Sequence, residues 1–298
     1  MAQSPAHRFG QIIGDVLEAA IQPLLEKFAR DHDLYLDAGG PRPCRRGKKC
    51  SWLDLNGNSH DLDFVLERGG THETVGSPAA FIEVAWRRYT KHSRNKAQEI
   101  QGAIEPLAET FRNSGPFKGA ILAGVFTAGA LTQLRSLGFS ILYFSYETVV
   151  SVFHKFGIDA SFDEDTPDRE FGRKVKAFQR LSARRKTQLG QALLDAAVAD
   201  VERFIAALRA VVLRQIERIV IVVLHGAAHE TTTVGDAIRF IQDYDGAGRA
   251  TPITRYEIQV RYNNGNTISG NFQDKESAVA FLLQYQPPVA APEKQLLA

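Results

Sequence analysis

The sequence predicts an α/β fold: a mixed central sheet flanked by helices, followed by a helical stretch and a small α+β region. Three observations carry this reading. An amphipathic helical stripe opens the chain. Apolar strand-like runs follow, linked first by an Asn-Gly turn and then by helical crossovers. The C-terminal part runs strand, helix, hairpin and helix on a smaller scale. Strands joined by a hairpin run antiparallel and strands joined by a helical crossover run parallel, so a sheet containing both is mixed.

From Phe9 the apolar residues fall at 9, 12, 13, 16, 17, 20, 21, 24, 25 and 28, one face of a helix with a kink expected at Pro23. The Pro/Gly/basic stretch "GGPRPCRRGKK" is a loop. "SWLDL", the turn "NGNS" and "HDLDFVLE" read as a hairpin, because Asn-Gly supplies the positive backbone angles such turns need. "AAFIEVAW" is a third strand. A helix follows from about Ser93, its N-cap, to Phe111, with an apolar stripe of Ala97, Ile100, Ile104, Leu107, Ala108 and Phe111. "FKGAILAG" reads as a buried strand, "TAGALTQLRSLG" as a short helix and "FSILYFS" as another strand. Residues 165 to 217 are helical, and Val201, Phe204, Ile205, Leu208, Val211 and Val212 form a stripe expected in the core. "RIVIVVLHG", "VGDAIRFIQDY", the Asn-Gly hairpin "RYEIQVRYNNGNTISGNF" and "KESAVAFLLQY" complete the small α+β module. The expected regions are 1–160 (core), 161–217 (basic helices), 218–286 (recognition or dimer contacts) and 287–298, a disordered tail.

At 298 residues, 44% hydrophobic and 23% charged, the composition is that of an ordinary soluble protein with a large core. The longest apolar run, "GAILAGVFTAGAL", is too short to span a bilayer, and "MAQSPAHRFG" lacks a secretion signal, so no membrane partner is expected. Cys44 and Cys50 are the only cysteines, which fits a reducing, cytoplasmic setting. The net charge of +2 hides clustering: "RRGKK", "RRYTKHSRNK", and eight Lys/Arg against two acids from Asp168 to Lys186. Such clusters are usually solvated faces, but together they favour a polyanion such as nucleic acid.

The acids Asp61, Asp63 and Glu83 interrupt apolar, strand-like runs. Side chains alternate along a strand, so Asp61 and Asp63 share one face of the second strand, while Glu83 shares a face with Phe81 and Ala85 on the third. If those strands are neighbours, Asp63 and Glu83 converge. Converging buried carboxylates are costly unless paired or bound to a cation, and they are the donor set that Mg²⁺ uses. Taken singly, Asp61 and Asp63 also read as edge acids paired with nearby bases, and Glu83 as a partner of Arg87 or Arg88. "LHGAAHE" puts His225 and His229 four apart, but the Glu follows the second His, so a structural or loop role is favoured over zinc.

The order helix, three strands, helix, strand, helix, strand, with Asp63 on the second strand and Glu83 on the third, resembles the PD-(D/E)XK nuclease superfamily over about residues 8 to 150. The resemblance implies a restriction-endonuclease-like core and a metal-dependent endonuclease acting on double-stranded DNA, most simply a type II restriction enzyme working as a homodimer. Alternatives are a DNA-binding protein with an inactive nuclease fold, or a less specific antiphage or repair nuclease. Asp63 and Glu83, supported by Asp61, would hold Mg²⁺, with Mn²⁺ able to substitute. The motif departs from the family at one place, where Glu83-Val84-Ala85 lacks the Lys of acid-any-Lys. Lys96 lies about 60° from the centre of its helix's apolar stripe and can reach back towards Glu83, which makes it the preferred replacement, with Lys91 second. Glu18 on the first helix is a further acid that can approach the metal. Arg45, Arg46, Lys48, Lys49, Arg87, Arg88 and Arg94 are the expected DNA contacts.

Overall fold

Ser4 accepts a hydrogen bond from the His7 N–H, and Pro5 takes the first helical position, so helix α1 (Pro5–Asp31) starts ahead of its apolar stripe. That stripe, including Phe9, Ile13, Leu17 and Leu25, is buried. The structure, a computed structural model of the chain, describes residues 4–223, 228–244 and 256–286, with every side chain there but those of Lys91 and His92. The chain forms two compact units, Met1–Val212 and Leu213–Ala298.

In the first unit the chain continues through β1 (Leu34–Asp37), β2 (Cys50–Leu53), β3 (Ser59–Leu62), β4 (Phe64–Arg68) and β5 (Ser77–Arg87). Next come α2 (Thr90–Thr110), β6 (Phe117–Gly124), α3 (Ala128–Ser136) and β7 (Ser140–Ser145). The central sheet has the order β1-β4-β5-β6-β7. Its β1/β4 and β4/β5 pairs are antiparallel, and its β5/β6 and β6/β7 pairs are parallel. The sheet is therefore mixed and flanked by helices, as the turn and crossover pattern predicts.

Three details differ from the sequence reading. The run "HDLDFVLE" is not one strand. It breaks at Asp63, with Leu62 paired to Cys50 in a separate two-stranded sheet and Phe64 paired to Ile82 in the central one. The break has a tertiary cause: the Asp63 carboxylate takes the Val84 N–H at 2.7 Å, occupying the β5 amide that a continued β4 ladder would have used. In place of the expected first hairpin strand, the central sheet uses β1, whose four residues are too short to show a period. The helix after β5 also begins at Thr90 rather than Ser93. Ser93 is buried, and its hydroxyl donates to the Thr90 carbonyl instead of capping.

Ile100, Ile104 and Leu107 of α2 pack with Phe81, Ala85, Leu122 and Leu134 in one core cluster. Each such fully buried side chain contributes roughly 1.5–3 kcal/mol. Four helices follow β7: α4 (Tyr146–Lys155), α5 (Asp168–Gln179), α6 (Ala183–Ala196) and α7 (Val198–Val212). The segment expected as a separate basic region is part of this first unit. Helices α5 and α6 pack on α1, and α7 packs on β6 and β7 through a stripe that includes Phe204 and Leu208.

The second unit starts at Leu213, slightly before the expected boundary. It holds β8 (Ile216–Val223), β9 (His229–Thr231), α8 (Val234–Asp243), β10 (Tyr256–Tyr262), β11 (Thr267–Phe272) and α9 (Lys275–Leu283). The antiparallel sheet has the order β11-β10-β8-β9, and Ile219, Ile221, Ile258 and Val260 pack with Ile241 of α8 and Phe281 of α9. Both Asn-Gly turns, one in each unit, have their glycine at positive φ, Gly57 at 80° and Gly265 at 85°. Among the described residues no helix is long and apolar enough to cross a membrane. The tail 287–298 lies outside the described residues.

Candidate active site

Three elements bring the acids together. Asp63 stands at the break between β3 and β4, Glu83 lies in the middle of β5, and Glu18 lies on α1. The β4/β5 register sets Asp63 opposite Glu83, because Phe64 faces Ile82 in the antiparallel ladder. The Val84 N–H then fixes the Asp63 carboxylate. Lys96 completes the group from α2, one residue before the buried Ala97, with its Nζ 3.6 Å from Glu83 Oε2. The same ammonium lies 3.5 Å from Glu99, which also sits 3.6 Å from Arg87.

Negative charge outweighs positive charge here. Burial raises the Glu83 carboxyl to about 8, with the Asp63 charge adding to the shift and Lys96 only partly opposing it. Asp63 is raised as well, by burial, against the pull of the Val84 N–H and Lys96. Glu18 is raised to about 7 by burial and by the charges of Asp63 and Asp15. The protein holds carboxylates together in low dielectric and supplies one close ammonium to offset them.

Beside these carboxyls lies a recess of about 360 Å³, whose walls include Gly10, Gly14 and Glu18 of α1, Ala85 of β5 and Lys96 of α2. Gly10, Gly14 and Glu18 repeat at the spacing of one helical face, and a Cβ added at Gly14 would meet nothing within 4 Å. Two helical glycines cost roughly 1 kcal/mol each relative to Ala, so this face gives up stability and keeps open space beside an acid. That stripe is the sequence signal that would have raised Glu18 from a guess to a site residue.

The donor set fits a small hard cation. Asp63 and Glu83 offer carboxyl oxygens that a cation would ionise and hold, and the recess beside them leaves room for water and a phosphate. Among the described residues no three His, Cys, Asp or Glu side chains form a ready-made metal cage. A two-carboxylate site completed by water and substrate is the Mg²⁺ pattern.

Other expected residues lie elsewhere. Asp61 is on β3, paired with Lys49 at 2.5 Å and accepting from Ser51 at 2.6 Å, so the strand break removes it from Asp63 and Glu83. Lys49 is correspondingly engaged. Arg45 is not a free DNA contact: its side chain is buried and donates to Asp37 at 2.8 Å, because the loop folds onto the end of β1. Arg88 donates to the Phe162 carbonyl at 2.7 Å and lies 4.0 Å over the Tyr146 ring, a contact that ties β5 to the segment before α5. Arg87 borders the recess, while Arg46, Lys48 and Arg94 are exposed. The Lys91 side chain and His225 lie outside the described residues. His229 begins β9 and stacks on Phe240 at 3.9 Å, a packing role. Comparison with known proteins finds no family model, no curated protein and no solved structure that matches the chain, so the reading of this site rests on its own geometry.

Proposed function

We propose that the protein is a divalent-metal-dependent endonuclease of the PD-(D/E)XK type, hydrolysing phosphodiester bonds in double-stranded DNA. One observation carries the reading: Asp63, Glu83 and Lys96 meet from separate elements beside an open recess that Lys96 borders, with two buried carboxyls set against one close ammonium. Asp63 and Glu83 would hold Mg²⁺ or Mn²⁺. The bound ion would supply Lewis-acid polarisation of the phosphoryl group and a more acidic water. Lys96 holds its ammonium beside Glu83, placed to orient the attacking water and offset charge developing on the phosphate. Ala85, where the usual motif has Lys, faces the same recess and leaves room for Lys96.

A type II restriction enzyme is the specific form we favour, working as a homodimer if both strands of a symmetric site are cut. Ala85 in the motif position favours one second reading, a DNA-binding protein with an inactive nuclease fold. Incubating plasmid and phage DNA with Mg²⁺ or Mn²⁺ separates the two. Wild type is expected to cut, and Asp63→Ala, Glu83→Ala and Lys96→Ala each to lose at least about 10²-fold in rate. Discrete bands indicate sequence recognition and a smear indicates a less specific nuclease. DNA bound but left intact with either metal selects the inactive binder.

A further inference from the structure

Several bases in the first unit are held by acids. Arg42 and Arg45 are locked to Asp37, Lys96 to Glu83, Lys118 to Glu105, and Lys174 to Asp159 at 2.7 Å. The successive helices α5 and α6 differ. Arg169, Arg173, Lys176, Arg180 and Arg184 are exposed, and their side chains make no ion pair among the described residues. Arg185 and Lys186 rest on aromatic rings, those of Phe156 at 5.0 Å and Phe178 at 4.9 Å.

Local stability does not account for this placement. Arg184, Arg185 and Lys186 crowd the first turn of α6, where the helix dipole disfavours cations. Meanwhile Lys174, the one buried base of the segment, ties α5 to the 159–161 loop through the Asp159 carboxylate and the Asp159 and Ser161 carbonyls. Helix α5 is anchored, while the exposed bases keep no ion pair among the described residues.

The position of these helices relative to the acids is fixed by α1. Helix α6 approaches α1 so closely that a Cβ on Gly190 would stand 3.1 Å from the Ala20 Cβ. Asp15 of α1 borders the acidic recess together with Glu18, and it also borders a groove of about 270 Å³ walled by Phe178 and Lys186. The two depressions share that residue. A strand leaving the recess across α1 therefore comes next to Lys186, with the unpaired bases of α5 and α6 beyond it.

We infer that the exposed bases of α5 and α6 form the docking surface for the phosphate backbone of the DNA duplex whose bond lies at the acidic recess. The inference rests on the proposed nuclease reading for the identity of the polyanion. The surface adds affinity without sequence selectivity, and its contribution falls with salt as counterions are released.

The test is fluorescence anisotropy of a short labelled duplex with the full chain in EDTA, across a range of salt concentrations. It compares wild type, a Lys176→Ala/Arg180→Ala/Arg184→Ala variant, and a Lys27→Ala/Arg30→Ala control on the far end of α1. The triple variant is expected to bind about 10–100-fold more weakly, with a log–log salt slope less negative by about 2–3, while the control matches wild type. Unchanged affinity and slope in the triple variant overturn the proposal, as does an equal loss in the control. Tighter binding of wild type to phosphatidylserine vesicles than to duplex also overturns it, since the surface then serves a membrane. The nuclease reading fails separately: wild type that binds with the expected slope but leaves DNA intact with Mg²⁺ and Mn²⁺ keeps the surface and loses the catalysis.

Discussion

The first unit buries two clusters of charge, and they are built on opposite principles. At the end of β1, Asp37 and Glu67 are matched by two arginines. Arg42 donates to Glu67 at 2.6 and 2.9 Å, to Asp37 at 2.9 Å and to the Thr71 and Thr74 carbonyls at 2.7 Å. Arg45 and the Gly39 N–H complete the shell of Asp37. Burial pushes Asp37 up, yet Arg45, Gly39 and Arg42 outweigh it and hold the carboxyl below the usual range. At the break between β3 and β4, Asp63 and Glu83 share one nearby ammonium, and with Glu18 they are all shifted upward. The first cluster is electrically closed and holds a loop in place. The second is left open, and an open cluster is where an external cation and substrate find their binding energy.

Arg42→Met is the largest expected break in the comparison. It strands Asp37 and Glu67 without their shared partner, and removing one member of a buried ion network costs about 3–5 kcal/mol. Denaturant unfolding of the variant should show that loss. The opposite cluster should respond with the opposite sign: Glu83→Gln is expected to stabilise the protein by about 1–3 kcal/mol at pH 8 while abolishing cleavage. A destabilised Glu83→Gln would mean that Glu83 is as well satisfied as Glu67, and the contrast between the clusters would fall.

Acidity separates the clusters further. Glu83 and Glu18 have folded-state pKa values of about 8 and about 7, above their ordinary 4.5, so between those limits the folded chain holds more protons than the unfolded one. Stability from this cluster is present at pH 5 and is lost as pH rises towards 8, by on the order of 2 kcal/mol. Asp37, shifted downward, contributes stability above its unfolded value that is lost only as acid protonates it. A divalent cation held by the ionised carboxylates would reverse the alkaline loss. Saturating Mg²⁺ is expected to raise Tm by about 2–4 °C at pH 8 and by much less at pH 5.5. Asp63→Ala should remove the shift. A Tm increment independent of pH would place the ion elsewhere.

Much of the open cluster is legible in the sequence because carboxylates inside apolar runs violate a local rule. Asp63 and Glu83 stand out for that reason, and the helical angle of Lys96 points it at Glu83. Asp61 looks equally anomalous, but its partners Lys49 and Ser51 come from a pairing that depends on where the strand breaks. That break is set by a side-chain hydrogen bond to a residue twenty-one positions away, which no local pattern reveals. The closed cluster was invisible for the same reason: Arg42 lies in a loop that reads only as basic, and its partners are Asp37 and the distant Glu67. The missed strand β1 has four residues, too few to show a period.

The smallest expected effect concerns Glu99, which stands between the clusters in character. It is 59% exposed and lies within ion-pair distance of both Lys96 and Arg87, so solvent screens each contact. Glu99→Gln should change stability by less than about 0.5 kcal/mol. It also leaves Lys96 with Glu83 as its close anion, so the ammonium stays in the recess, and the cleavage rate should move by no more than about threefold against the much larger loss for Lys96→Ala. Measuring kcat and KM for both variants decides the matter. If Glu99→Gln matches the kcat loss of Lys96→Ala, Glu99 is needed to hold the ammonium in place. The open cluster would then depend on a surface acid for its order, and the boundary between scaffold and site would have to be redrawn one turn along α2.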